Sequence, residues 1–143
     1  MPLRPEATLE AANKRGTGRL PALVGFRVTA IEENMLAAEL DVRPELLAPN
    51  GYLHAATVIA LADTACGYGC LAHLPPDKAL FTTIELKSNF VGTARSGTIG
   101  CVATPAHLGR TTQVWDALVD DKASGRRIAL FRCTQMILWP RGA

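Results

Sequence analysis

Apolar and polar positions along the chain follow two periods, and the change between them marks out the elements. From Asn50 to Ala72 the residues are almost continuously apolar after a Pro49-Asn50-Gly51 turn signal. At that length the run reads as a helix of about five turns, interrupted by one carboxylate, Asp63. On both sides of it the period falls to two. Leu23 to Ile31 and Met35 to Val42 alternate as strands, with Glu32-Glu33-Asn34 as their hairpin turn. After Pro75-Pro76-Asp77 the segment Phe81 to Val91 puts Thr82, Ile84, Leu86, Ser88 and Phe90 on one face, expected to be buried. Thr83, Glu85, Lys87 and Asn89 fall on the other. Thr98 to Ala106, Thr111 to Val119 and Arg127 to Leu138 complete four later strands. They are separated by a bend at Leu108-Gly109-Arg110 and a loop from Asp120 to Gly125. Upstream, Glu6 to Lys14 has short-helix character, Gly16-Thr17-Gly18 reads as a flexible joint, and Arg43 to Asn50 as a loop.

Two strands, one long apolar helix and four strands on short connections favour an antiparallel sheet. A helix apolar on every side is hidden only if a sheet curls around it. The expected class is α+β: a curved antiparallel sheet wrapped around one central helix. Residues 1–19 are expected to form an N-terminal extension and 20–140 a single domain.

Composition narrows the function classes. With 143 residues, 48% hydrophobic and 20% charged, the chain is long enough for one well-packed core. A net charge of +2 is too mild to argue for nucleic acid but suits a small anionic ligand. Neither a signal pattern nor an apolar run approaching the ~18 residues that span a bilayer is expected. The chain therefore reads as cytoplasmic, with no membrane partner. The four cysteines, Cys66, Cys70, Cys101 and Cys133, form no Cys-x-x-Cys pair. With His73 they lack a convincing fourth ligand, so buried thiols in a reducing compartment are expected, and no metal.

Asp63 is the residue that asks for an explanation, because a lone acid in an apolar helix is costly to bury. It is either a structural ion-pair partner or a general base or nucleophile tuned by desolvation. Its helical face is otherwise small: Ala56, Ala60 and Gly67. The helix start supplies a second candidate. After Gly51, the small residues Ala55 and Ala56 expose backbone N–H groups that lack intrahelical partners at the positive end of the dipole. Such an end can stabilise an oxyanion. His54 would hold the incoming loop, and Asn50 would orient the turn. Lys87, Arg95 and Arg110 are solvated charges or, together, a shallow anion site. His54 and Asp63 lie nine positions apart, roughly 13.5 Å along a helix at 1.5 Å per residue, and on opposite sides. If both ends act in one site, two subunits must supply them, and a two-fold dimer creates two such sites.

The stretch Gly51-Tyr-Leu-His54-Ala-Ala-Thr-Val-Ile-Ala-Leu-Ala-Asp63-Thr-Ala resembles the helix signature of hotdog-fold acyl-CoA thioesterases of the PaaI type. That signature has Gly-x-x-His-Gly-Gly, with an acid nine positions after the histidine in Leu-Ala-Asp-Thr-Ala. The resemblance implies a hotdog fold and hydrolysis of an acyl- or aryl-CoA thioester to free acid and CoA, with no cofactor. It implies Asp63 as base or nucleophile and the N–H of Ala55, with Ala56, as oxyanion hole. Gly51, His54 and Thr64 would shape the substrate entrance, and Lys87, Arg95 and Arg110 would meet the CoA phosphates. It also implies a homodimer assembled further into a tetramer. The family's Gly-Gly is Ala55-Ala56 here, and an asparagine six positions before the histidine is Ala48, with Asn50 as its substitute. Two rivals remain: a non-catalytic acyl-CoA-binding or regulatory module on the same fold, and a hydratase or dehydratase. The second needs a histidine–acid pair in one site, which the spacing does not offer.

Overall fold

The structure is a computed structural model that describes residues 2–75 and 79–142; of the Pro75-Pro76-Asp77 turn, Pro76 and Asp77 lie outside them. Helix α1 (Leu9–Arg15) starts at a Thr8 cap, whose hydroxyl accepts from the Ala11 N–H. A short helix α2 (Leu20–Val24) follows, then β1 (Arg27–Glu32) and β2 (Met35–Asp41). A 3-10 turn at Pro44–Leu46 leads to the central helix α3 (Ala55–Ala72). Strands β3 (Leu80–Phe90), β4 (Thr98–Leu108), β5 (Thr112–Asp121) and β6 (Arg127–Leu138) complete the fold.

All strand pairs are antiparallel, in the order β1-β2-β4-β5-β6-β3. The sheet curls around α3, whose Leu61, Ala62, Ala65, Cys66 and Cys70 are fully buried against Leu36, Ile99, Trp115 and Val119. Small residues make this approach feasible. A Cβ on Gly69 would stand 2.8 Å from the Trp115 ring, and one on Gly67 2.7 Å from Phe81. Helix α3 does have the length and composition of a membrane span, contrary to expectation, yet 61% of it is buried within the fold. The curled sheet supplies the apolar surroundings that a lipid would otherwise provide.

Three expectations need correction. Residues from Leu23 do not begin a strand. Pro21 opens α2, and Gly25 at φ 78° closes it with its N–H on the Ala22 and Pro21 carbonyls, so β1 starts only at Arg27. Nor is Gly16 a loose joint. It is buried, and a Cβ there would lie 2.7 Å from Pro21.

The third correction concerns β3. Its alternation does not place one even-numbered face inward, because the register with β6 shifts between Thr83 and Glu85. Before this bulge Phe81 and Thr83 lie opposite the buried Ile137 and Gln135. After it Leu86 and Ser88 lie opposite the buried Cys133 and Phe131. Residues directly opposite across a ladder share a face. One extra residue, Ile84, therefore exchanges the two faces of the strand. Thr83 turns inward, while Thr82 pairs with the exposed Met136 on the outer face.

The two sheet edges differ. Along β1, the Asn13 amide accepts from the Val28 N–H at 2.8 Å and donates to the Val28 carbonyl at 3.1 Å, occupying the edge as another strand would. Along β3, Leu80, Ile84, Leu86 and Phe90 are exposed large apolar residues, with Val91 following. An exposed apolar edge strand is a template for pairing.

Candidate active site

The entrance of α3 is built by short-range chemistry. Gly51, at φ 85°, turns the chain, and the Asn50 side chain accepts from the Tyr52 N–H at 3.1 Å. Asn50 is thus a turn-former pointing back at its own loop. Thr57 donates its hydroxyl to the Leu46 carbonyl at 2.8 Å, and the His54 N–H reaches the same carbonyl at 3.2 Å. The loop and the first helical turn are locked together. His54 caps the helix: its Nδ1 accepts from the Ala56 N–H at 2.8 Å. That narrows the pair of oxyanion donors. The Ala56 N–H is taken, whereas no hydrogen bond among the described residues engages the Ala55 N–H. Both alanines are exposed and lie in the helix, so no left-handed glycine conformation is needed there.

Asp63 lies midway along α3 and is half-buried, with Ala60 and Thr64 half-buried beside it. Its Oδ1 accepts from the Thr83 hydroxyl at 3.0 Å. Burial raises the Asp63 carboxyl above the usual carboxylate range, and the Thr83 hydrogen bond pulls it partly back. Among the described residues no salt bridge involves Asp63. A cavity of about 200 Å³ between α1 and α3, lined by Arg4, Tyr68 and Leu71 among others, does not include Asp63. On the inner side of β3, Leu86 and Phe90 are 39% and 44% exposed, whereas the Ser88 Oγ between them is buried and has no partner among the described residues. One chain thus leaves the wall that follows the bulge partly uncovered.

The three basic residues are not gathered into one site within the chain. Arg95 lies at the entrance, its guanidinium 4.1 Å from the centre of the Tyr52 ring, and the neighbouring Ala94 carbonyl accepts from the Leu53 N–H. Lys87 pairs in register with Arg132 on the outer sheet face, in an open groove shared with Asp116. Arg110 sits in the β4–β5 turn at the far end of the strands, over the Trp139 ring. His73, buried at the end of α3, donates Nδ1–H to the Gly69 carbonyl at 2.7 Å and accepts from the Asn34 N–H at 2.8 Å. Burial lowers its pKa, and it acts as a structural clasp. The four cysteines are all free and buried.

Two residues linked to Asp63 were not anticipated: Thr83, assigned to the solvent face, and, through its hydroxyl, Gln135. The alternation of Phe131, Cys133 and Ile137 already places Gln135 inside. Only the bulge brings Thr83 to it.

The family model described as Thioesterase superfamily matches residues 50–127, from the entrance turn to the start of β6. The chain belongs to the thioesterase superfamily. This thioesterase is 31% identical over 134 residues to the 1,4-dihydroxy-2-naphthoyl-CoA hydrolase of Escherichia coli (strain K12), spanning 92% of this chain and 95% of that relative. It is 28% identical over 131 residues to the proofreading thioesterase EntH of Cronobacter turicensis, spanning 92% and 94%. Its backbone matches the crystal structure of a mutant thioesterase PA1618 from Pseudomonas aeruginosa with a TM-score of 0.91 at 27% identity, covering 96% of this chain and 99% of that one. The molecule is a hotdog-fold thioesterase that hydrolyses thioesters, as the resemblance of its helix signature implied.

Proposed function

We propose that this thioesterase hydrolyses acyl- or aryl-CoA thioesters in a site shared by two protomers, with Asp63 from one and the Ala55 N–H from the other. The observation that carries this reading is the Asp63 carboxylate, half-buried and without an ion-pair partner among the described residues, on the helix that faces the strand its own chain leaves partly open. Three features support the shared site: the eight-residue separation of Ala55 and Asp63 along α3, the open apolar edge of β3, and the Ala55 N–H left unused by the His54 cap. The names of the relatives support a CoA thioester, aromatic in the Escherichia coli case.

In the proposed reaction the thioester carbonyl oxygen lies against the Ala55 N–H at the positive end of α3. Asp63 accepts a proton from water as the water oxygen bonds to the carbonyl carbon. The oxyanion collapses, the C–S bond breaks, and the thiolate leaves to be protonated as free CoA. Direct attack by Asp63, followed by hydrolysis of the anhydride, uses the same groups. Arg95, braced on Tyr52, would meet a CoA phosphate near the entrance.

Thiol release from aryl-, short-chain and long-chain acyl-CoAs, wild type beside Asp63→Asn, tests the proposal. Asp63→Asn is expected to lower kcat at least about 100-fold with KM nearly unchanged. Wild-type turnover by the variant would sink it.

A further inference from the structure

We propose that Thr83 and Gln135 are positioning residues for Asp63, holding one carboxylate oxygen so that the other is presented to the attacking water. The inference rests on the role of Asp63 given above and extends it to two side chains outside the helix signature.

The geometry is a chain of close polar contacts across three elements. The Thr83 hydroxyl on β3 lies 3.0 Å from Asp63 Oδ1 on α3 and 2.9 Å from Gln135 Oε1 on β6. Gln135 is fully buried, and the other end of its amide lies 3.3 Å from the Cys133 sulfur. A hydroxyl has one proton and cannot serve two acceptors. With Asp63 ionised, Thr83 donates to the carboxylate. The Gln135 amide then turns its NH2 toward the Thr83 oxygen, and its carbonyl accepts from the Cys133 thiol. Each side chain then has a partner in this direction, and the hydroxyl is polarised toward Asp63. A hydroxyl aimed at one carboxylate oxygen, and itself held by a buried amide, limits rotation of the carboxylate. A half-buried acid held only by apolar neighbours would lack that constraint.

The bulge in β3 lets Phe81 pack against Gly67 while Leu86 and Ser88 also face inward. Ile84, its extra residue, is 52% exposed. The same shift turns Thr83 inward opposite Gln135. Bulges re-aim side chains next to active sites.

Among the described residues, the titratable group that feels the Asp63 charge is the Cys66 thiol. Cys66 on α3 is pushed well up by its hydrogen bond with Cys133 and by burial, and burial also raises Cys101 on β4. They stay protonated in the acidic range, so an acidic limb of activity reports Asp63. The Thr83 hydrogen bond favours ionised Asp63, so its loss raises the pKa and moves that limb to higher pH.

Four enzymes are compared: wild type, Asp63→Asn, Thr83→Val and Thr83→Ser. Each is measured for kcat, KM and the pH dependence of kcat/KM, with the Asp63 carboxyl also titrated by 13C NMR in the two Thr83 variants and wild type. Thr83→Val is expected to lose roughly tenfold in kcat with KM within about twofold, with limb and carboxyl titration both moving up in pH. Thr83→Ser should restore both. A Thr83→Val enzyme with wild-type kcat and limb overturns the proposal. So does a kcat loss with an unmoved limb and titration, which marks a role in packing alone. Should Thr83→Val fail to fold, Thr83→Ala, which removes the hydroxyl without adding bulk, carries the same expectations. Full activity in Asp63→Asn would instead remove the catalytic reading itself, which keeps the two failures distinct.

Discussion

Ala55 occupies the position where glycine is expected from the family signature, and its backbone explains why alanine suffices. It is the first helical residue and its N–H is open, while the next N–H is spent on the His54 imidazole. This permits a test that removes one hydrogen-bond donor and little else. Proline is well accommodated at the first position of a helix, since its missing N–H has no intrahelical partner to lose. His54, at φ −69° and ψ 137°, already has the extended backbone that a following proline requires. Ala55→Pro is therefore expected to keep the fold, measured by circular dichroism and thermal melting, and to lower kcat by about 100-fold as an oxyanion-hole deletion. An enzyme that keeps wild-type kcat would show that this N–H is not the donor. At the same scale the sequence was an uneven guide. Asp63 and His54 were legible because a lone acid in an apolar helix and a histidine at its start stand out. Thr83 was not, because its inward turn depends on one extra residue in the strand.

Among the elements, α3 was read most directly and β3 least. A run of apolar residues after an Asn-Gly turn determines a buried helix wherever it is placed, because no solvated face exists on which it could lie. Its glycines matter for a reason that propensity does not supply. In an exposed helix, replacing glycine by alanine stabilises by about 0.5–1 kcal/mol. At Gly69 the new Cβ would stand 2.8 Å from the fully buried Trp115 ring. Gly69→Ala is expected to destabilise the fold by about 1–3 kcal/mol in urea unfolding, as overpacking does. A gain in stability would show that the sheet can retreat from the helix. In β3 the alternation of apolar residues was real, and its face assignment holds from Leu86 onward but is reversed before the bulge. A period-2 pattern fixes faces only while the ladder register is unbroken.

For the whole molecule, one edge is sealed by the Asn13 amide and the other is apolar and open. Together with the separation of Ala55 and Asp63, this asymmetry makes the two-protomer site testable by complementation. Asp63→Asn and Ala55→Pro are each expected to be inactive alone. In a dimer that carries one chain of each kind, one site has both defects and the other has none. Random co-assembly of equal amounts should therefore restore about a quarter of wild-type activity, since half of the dimers are mixed and each has one intact site of two. If a single chain furnished both groups, mixed dimers would hold two crippled sites and the mixture would stay inactive.

The sequence by itself determined the class of the fold, the identity of its central helix, the strand order along the chain and the acid at its middle. These follow from local periodicity and from the cost of burying a charge, which act over a few residues. Only the tertiary structure decided which N–H the histidine cap consumes, that Lys87, Arg95 and Arg110 lie on different parts of one chain, and that Thr83 faces Asp63. Those outcomes depend on ladder register and on contacts between residues far apart in sequence. A single bulge at Ile84 reverses the faces of a strand without altering the apolar pattern from which they are read.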